Sequence, residues 1–196
     1  MDPNGEKVIP LKAFQNSAYH GVYQKLSQTS TYQRLLSGYQ DNTHDFTLDY
    51  STEPTHKAGS NQMSYKKKGD LIIYAKANSK YYRPQGIEQS EIAMVQTLLH
   101  EAIHAVDGLA ERETPYHDGF DQAAVLTGLM EYNEIYDLGY SNEDLEILSW
   151  SGLHDSVEYC TYIEHRAEIN NRTFDEEDNY VKSRITILML GADSDE

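Results

Sequence analysis

Apolar residues in the second half of the chain recur at helical spacing, and residues that favour helix starts separate the apolar stretches. The apolar run at residues 92–99 continues into residues 100–104 and predicts one long helix. Ser141 and Thr173 each stand three positions before an acidic residue, which is the capping pattern that begins a helix. Helices are therefore predicted from residue 92 to a stop at Asp107-Gly108, from 118 to 136, from 141 onward, from 156 to 170 and from 173 to 190. The predicted core positions of the later helices are Ala124, Val125, Leu129, Tyr132, Leu145, Leu148, Trp150, Val181, Ile185 and Leu188.

The first half of the chain has the patterns of strands and short helices. Phe46, Leu48 and Tyr50 alternate with polar residues, and residues 71–75 form an apolar run, so both stretches are predicted as strands. The remaining stretches are predicted as a linker at 1–10, one or two short helices from 11 to 38 interrupted at Gly21 and at 27–30, a loop at 51–64 and a turn at 66–70. These patterns predict an α+β fold, mainly helical, with a small sheet from the N-terminal half and one domain over residues 11–196.

Composition narrows the class of protein. A chain of 196 residues fits a single domain, and it contains no apolar run long enough to span a membrane. Residues 1–7 lack the basic start and apolar stretch of a signal peptide. The single cysteine, Cys160, excludes an internal disulfide and a cysteine-based zinc ribbon, and it is expected to be a small core residue on a helix.

Charge is distributed unevenly along the chain. Residues 1–98 carry 11 Lys and Arg against 9 Asp and Glu, whereas residues 99–196 carry 5 against 23. The acidic half repels phosphate backbones, which argues against nucleic acid as the main partner. It suits a basic protein substrate or a basic partner.

The central helix carries a metal-binding pattern, because His100 and His104 are four residues apart and Glu101 directly follows the first histidine. Residues at positions i and i+4 lie on one helix face, so both imidazoles can reach one ion. Glu101 can then hold a water molecule at that ion. This HExxH arrangement is typical of zinc hydrolases.

A catalytic zinc site usually needs a third protein ligand. His117 is the first choice, because it follows a helix stop and opens the next predicted helix, where Phe120 can anchor it in the core. Glu158, 54 residues after His104, is its main competitor, since a glutamate on a later helix also completes such sites. Glu111, His154 and His165 are further candidates, and a site without a third protein ligand also fits the sequence.

Three further roles follow from this site. Zinc lowers the pKa of its water towards ~7, and Glu101 is expected to take the proton and later deliver it to the leaving amine. Tyr116, the tyrosine nearest the site in sequence, is a candidate to stabilise the oxyanion. Asp107 is a candidate to hold a ligand imidazole through its second nitrogen.

The motif and the residues after it resemble SprT-like zinc metallopeptidases, which have HExxH and a third histidine a short loop later. The resemblance rests on the pentad at residues 100–104 and on Tyr116-His117-Asp118, which opens a helix ending in Met130-Glu131-Tyr132. It implies a zincin-like fold. SprT proteins that act on DNA-crosslinked proteins often carry a cysteine zinc ribbon and a basic face, and this sequence has neither.

Two other segments are similar to the C-terminal regions of Rhs/YD-repeat polymorphic toxins. Residues 144–153 look like the DLAWGGL-type segment of their HExxH domains, and residues 2–6 look like the DPxG junction before the variable toxin domain. The resemblance covers roughly residues 90–160. It implies a secreted zinc metallopeptidase effector that acts in the recipient cytoplasm and is neutralised by a cognate immunity protein. A housekeeping or phage metallopeptidase and a non-catalytic, metal-stabilised interaction domain are the competing hypotheses.

Overall fold

A computed structural model describes residues 8–37, 46–51, 62–65, 70–74, 89–109, 117 and 119–191. These residues form mostly helices together with one small sheet, which confirms the α+β class. The strands are β1 (Val8–Pro10), β2 (Phe46–Ser51), β3 (Gln62–Tyr65) and β4 (Asp70–Tyr74). The helices are α1 (Lys12–Gln15), α2 (Ala18–Leu26), α3 (Ser30–Ser37), α4 (Glu91–Leu109), α5 (Gln122–Tyr136), α6 (Asn142–Ser149), α7 (Val157–Asn170) and α8 (Phe174–Leu190).

The sheet has the strand order β1-β2-β4-β3. The two parallel pairs are β1 with β2 and β2 with β4, whereas β3 runs antiparallel to β4. The predicted strands at residues 46–50 and 71–75 are confirmed as β2 and β4. The strands β1 and β3 lie where the sequence predicted a linker and a loop; both are short, and the pairing with β2 and β4 defines them.

The helix α4 lies at the centre of the molecule and contacts β3 on one side and α2, α3, α5, α6 and α8 on others. Every side chain from Ile92 to His100 is buried. A helix that is mostly apolar around its whole circumference belongs in a core, and the surrounding elements form that core here. The sequence predicted one or two N-terminal helices, and the structure has three, because residues 16–17 and 27–29 interrupt the run and Gly21 lies inside α2. Of these, α2 and α3 pack against α4, whereas α1 contacts β2 and α2.

The helices α6, α7 and α8 begin next to the predicted starts at residues 141, 156 and 173. The hydroxyls of Ser141, Ser156 and Thr173 accept hydrogen bonds from backbone N–H groups in the first turns, and Thr173 forms a complete capping box with Glu176. Gly191 ends α8 in the left-handed conformation. The predicted core positions of these helices are buried: Leu145, Leu148, Trp150, Val181, Ile185 and Leu188.

Two sequence predictions in this region are wrong. The helix α5 begins at Gln122 and not at Asp118, because His117 and Gly119 have positive φ angles that a right-handed helix does not allow. Cys160 lies on α7 as expected but is exposed. The buried face of α7 consists of Tyr159, Ile163 and Ala167, and Cys160 lies next to that face.

Glu131 of α5 holds the start of α3. Its Oε1 accepts hydrogen bonds from the backbone N–H and the hydroxyl of Ser30, each at 2.7 Å, and its Oε2 accepts from the N–H of Thr31 at 2.8 Å. A carboxylate at a helix N-terminus satisfies backbone donors and interacts favourably with the helix dipole. Burial raises the pKa of Glu131, but the hydrogen bonds from Thr31 and Ser30 outweigh it and lower the pKa to about 2.

Glu131→Gln is expected to lower the free energy of unfolding by about 1–2 kcal/mol at pH 7, because the amide keeps one acceptor oxygen and loses the charge. The carboxylate's contribution is present above the ordinary pKa of 4.5 and is lost as the pH falls towards 2, so the difference should shrink with acidification. Urea unfolding at pH 7 and pH 3 measures it. The control is Glu134→Gln, an exposed glutamate on the same helix. Equal losses in both variants would contradict the capping role.

Candidate metal centre

The helix α4 brings the two histidines of the HExxH motif into contact, with their ring planes 73° apart. The Nε2 atoms of His100 and His104 are 3.0 Å apart, and the ring centroids are 4.7 Å apart. His100 is 7% exposed, whereas His104 is half-buried. The four-residue spacing therefore produces the shared face that the sequence predicted.

His117 completes a cluster of three imidazoles. It lies in the turn before α5, and its ring centroid is 5.5 Å from that of His100 and 5.0 Å from that of His104. One ring nitrogen from each histidine lies within 4.8 Å of those of the other two. Within the part of the chain that the structure describes, this is the one group of three or more side chains with metal-ligand geometry.

Phe120 supports the cluster from the side of α5. Its ring stacks on that of His100 at a centroid distance of 4.6 Å, and it lies 5.1 Å from His104 and 6.0 Å from His117. Phe120 also packs against the hydrophobic core. It therefore anchors the histidine turn to the core, as the sequence predicted.

Gly152, in the connector between α6 and α7, lies against the edge of the His100 ring. A Cβ atom at this position would approach His100 Cε1 to 3.1 Å, and Gly152 has a φ of +89°. Both features favour glycine, because other residues rarely adopt this φ and a side chain would press on the imidazole. The segment that resembles the toxin family thus forms one wall of the cluster.

Two of the three imidazoles, those of His100 and His104, are held neutral by their surroundings. Burial lowers the pKa of His100 well below its ordinary value, and the neighbouring His104 and His117 lower it further. Burial and His117 lower the pKa of His104 to about 4, against a smaller opposing effect of Asp155. A neutral imidazole offers the lone pair that a metal ligand needs.

The donor set fits a zinc ion. Nitrogen ligands at the usual Zn–N distance of about 2.0–2.1 Å in a tetrahedral site lie roughly 3.4 Å apart, close to the 3.0 Å between His100 Nε2 and His104 Nε2. Three imidazoles with one open position are a donor set of catalytic zinc sites.

The remaining predicted catalytic residues are described only in part. Glu101 is half-buried and directly follows His100 on α4. Tyr116 and Glu111 lie outside the described residues, so their predicted roles stay predictions. Asp107 belongs to α4, but its side chain also lies outside the described part of the chain, and its predicted contact with a ligand imidazole stays a prediction.

The three competing third ligands that the structure describes, Glu158, His154 and His165, lie outside the cluster. The Glu158 carboxylate is exposed, and its Oε1 accepts a hydrogen bond from the backbone N–H of Gly119 at 3.1 Å. His154 is half-buried, with its ring 4.9 Å from that of Tyr159. His165 is exposed on α7. The structure therefore brings His117 to the HExxH histidines, and Glu158 to the turn that carries His117.

Asp155 contacts the cluster directly, and the sequence did not predict it. Its Oδ1 lies 2.9 Å from Nδ1 of His117, and its side chain is 49% exposed. The two residues are 38 positions apart, and no local pattern pairs them. The one indication in the sequence is the position of Asp155 three residues after Gly152, whose backbone lies against the His100 ring.

Comparisons of this chain with models of protein families, with curated proteins and with solved structures found no match. Among the described residues, no helix combines the length and the apolar character that crossing a bilayer requires.

Proposed function

We propose that this protein is a zinc-dependent endopeptidase in which His100, His104 and His117 hold the metal. The observation that carries the proposal is the convergence of three imidazoles from two separate segments within 4.8 Å. Glu101 directly follows the first of these histidines, which is the position of the general base in HExxH hydrolases. Three imidazole ligands with an open position favour zinc over calcium or magnesium, which prefer oxygen ligands.

The proposed chemistry is hydrolysis of a peptide bond. A zinc ion at this site would supply Lewis acidity and lower the pKa of a water molecule towards ~7. Glu101 accepts the proton of the attacking water and then donates it to the leaving amine. His100 and His104 stay neutral throughout, because burial and the neighbouring imidazoles disfavour their protonation. Tyr116 remains our candidate for stabilising the oxyanion.

The proposed substrate is an extended polypeptide. The strand β3 lies at one end of the strand order and contacts α4, which carries two of the three histidines. A peptide can add to such an edge by main-chain hydrogen bonds, and this would bring a scissile bond towards α4. The helix beside an antiparallel edge strand also supports the proposed zincin-like fold. A net charge of −16 favours a basic target.

We further propose that the chain is the toxic effector domain of a secreted Rhs-type polymorphic toxin, with a protein substrate in the recipient cytoplasm and a cognate immunity protein. The support is the resemblance of residues 2–6 and 144–153 to segments of that family. Gene context tests this part. An upstream Rhs-repeat reading frame and a small downstream gene are expected, and their absence would favour a housekeeping or phage peptidase.

Glu101→Gln tests the enzymatic proposal. Wild type expressed in a sensitive cell is expected to be toxic and to generate new protein termini, which proteomics can identify. The glutamine variant should bind zinc and fold normally but generate none, because an amide cannot accept the proton. Glu164→Gln, an exposed residue of α7, is the control that removes the same charge. If cleavage survives Glu101→Gln with unchanged zinc content, Glu101 is not the general base and the proposed mechanism is wrong. If wild type binds zinc but generates no new termini, the metal only ties helices together.

A further inference from the structure

The turn that carries His117 has an unusual backbone. His117 has a φ of 58°, in the left-handed region that only a few per cent of residues other than glycine adopt. Gly119 also has a positive φ, and the N–H of Phe120 closes the turn by donating to the carbonyl of His117 at 3.0 Å. Such a conformation persists only where surrounding contacts hold it.

One of these contacts comes from Asp155, at the end of the α6–α7 connector. Its Oδ1 is 2.9 Å from Nδ1 of His117. A carboxylate that accepts from Nδ1–H favours the tautomer of His117 whose lone pair, the one a metal needs, is on Nε2. The hydrogen bond thereby selects both the tautomer and the orientation of the third imidazole.

A second contact comes from Glu158, in the first turn of α7. Its Oε1 accepts a hydrogen bond from the N–H of Gly119, two residues after His117, at 3.1 Å. This bond acts on the backbone of the turn, whereas the Asp155 bond acts on the ring. Because both carboxylates belong to residues 155–158, this short stretch of chain contacts the His117 turn at two points.

We propose that Asp155 and Glu158 are positioning residues that hold His117 ready for metal binding: Asp155 orients the imidazole, and Glu158 fixes the turn. The inference rests on the proposed zinc centre. In this inference Glu158 is not a metal ligand. Asp155 is the carboxylate that accepts a hydrogen bond from the imidazole of His117. Removing such a partner commonly weakens metal affinity by about 10–100-fold.

Zinc titration of the metal-free full chain tests the Asp155 contact. A chromophoric chelator competes for the metal, and Co²⁺ absorption spectra report the ligand geometry. Asp155→Ala is expected to lose about 10–100-fold in zinc affinity and to change the Co²⁺ spectrum. Asp155→Asn should lose less, because its amide oxygen still accepts from Nδ1–H. The control is Asp137→Asn, which removes the same charge from an exposed residue at the far end of α5.

Glu158 needs a pair of variants, because both a ligand and a positioning residue would weaken binding when replaced by alanine. Glu158→Gln keeps an acceptor for the N–H of Gly119, but it replaces a carboxylate with a poor zinc ligand. The positioning role predicts near wild-type zinc affinity for Glu158→Gln and a clear loss for Glu158→Ala. A large loss in both variants would show that Glu158 coordinates the metal and would overturn its assigned role.

The outcomes separate this inference from the proposed function. If wild type fails to bind one zinc ion, or binds it equally well without His117, the metal centre itself is wrong. If wild type binds zinc through the three histidines and Asp155→Ala binds it as tightly with an unchanged Co²⁺ spectrum, only the positioning role is wrong. Thermal unfolding of the metal-free variants identifies any that fail to fold, and the conservative asparagine variant then decides the result.

Discussion

Replacing His117 with alanine is expected to lower zinc affinity by about 10²–10³-fold. Structural zinc sites with four protein ligands bind with about 10–16 kcal/mol, so one ligand contributes roughly 3–4 kcal/mol. His117 supplies one of the three imidazoles that lie within 4.8 Å of one another. Chelator competition measures the affinity, and elemental analysis of dialysed protein measures the bound zinc. The same variant should also lose peptidase activity.

His165→Ala is the matched control for this variant. It removes an imidazole that is exposed on α7 and lies outside the cluster, so zinc affinity should stay at the wild-type value. His154→Ala extends the control to the half-buried histidine next to Asp155. Full zinc occupancy in His117→Ala, together with a loss in either control, would assign the third ligand to a different histidine.

The part of the site that the sequence predicts best depends on local geometry. Four-residue spacing on a helix places His100 and His104 on one face whatever the rest of the chain does. The apolar residues before them indicate a helix, and α4 is that helix. Sequence alone therefore defines this pair and the position of Glu101 beside it.

The third imidazole depends on contacts between distant parts of the chain. The position of His117 shortly after the HExxH motif suggested it as a ligand. The predicted helix start at Asp118, however, implies a negative φ at His117, whereas its φ is 58°. Its actual turn requires positive φ angles at His117 and Gly119 and the two carboxylates from α6–α7. The contact between His117 and Asp155 was not predicted, because a pairing over 38 residues has no periodic signal.

The same contrast explains the rest of the fold. The helix starts at Ser141 and Thr173 were predictable because a capping side chain bonds to its own first turn. The strands β1 and β3 were missed because they are three and four residues long and their backbone partners are remote in sequence. A short strand is defined by what pairs with it more than by its own residues.

Glu177→Ala is expected to lower the free energy of unfolding by about 3–5 kcal/mol, because it removes the central carboxylate of a buried ion network. Glu177 is 0% exposed. Its Oε1 accepts from Arg166 Nε at 2.7 Å and from Asn170 Nδ2 at 3.2 Å, and its Oε2 accepts from Arg172 Nη1 at 2.9 Å. Arg166 also donates to Glu143 at 2.7 Å, so the network joins α6, α7 and α8.

Alanine at position 177 would leave the 13% exposed Arg166 without its buried partner, which is why the expected loss exceeds that of a surface ion pair. Urea unfolding measures this loss, and an unchanged m-value would show that the folded state keeps its compactness.

Burial raises the pKa of Glu177, but hydrogen bonds from Arg166, Arg172 and Asn170 outweigh it and lower the pKa below 4.5. The network's contribution is therefore present above pH 4.5 and is lost on further acidification, so wild type and variant should converge in stability there. Glu164→Ala, at an exposed position of α7, is the control. A loss in Glu177→Ala no larger than in that control would mean that apolar packing alone holds the three helices together.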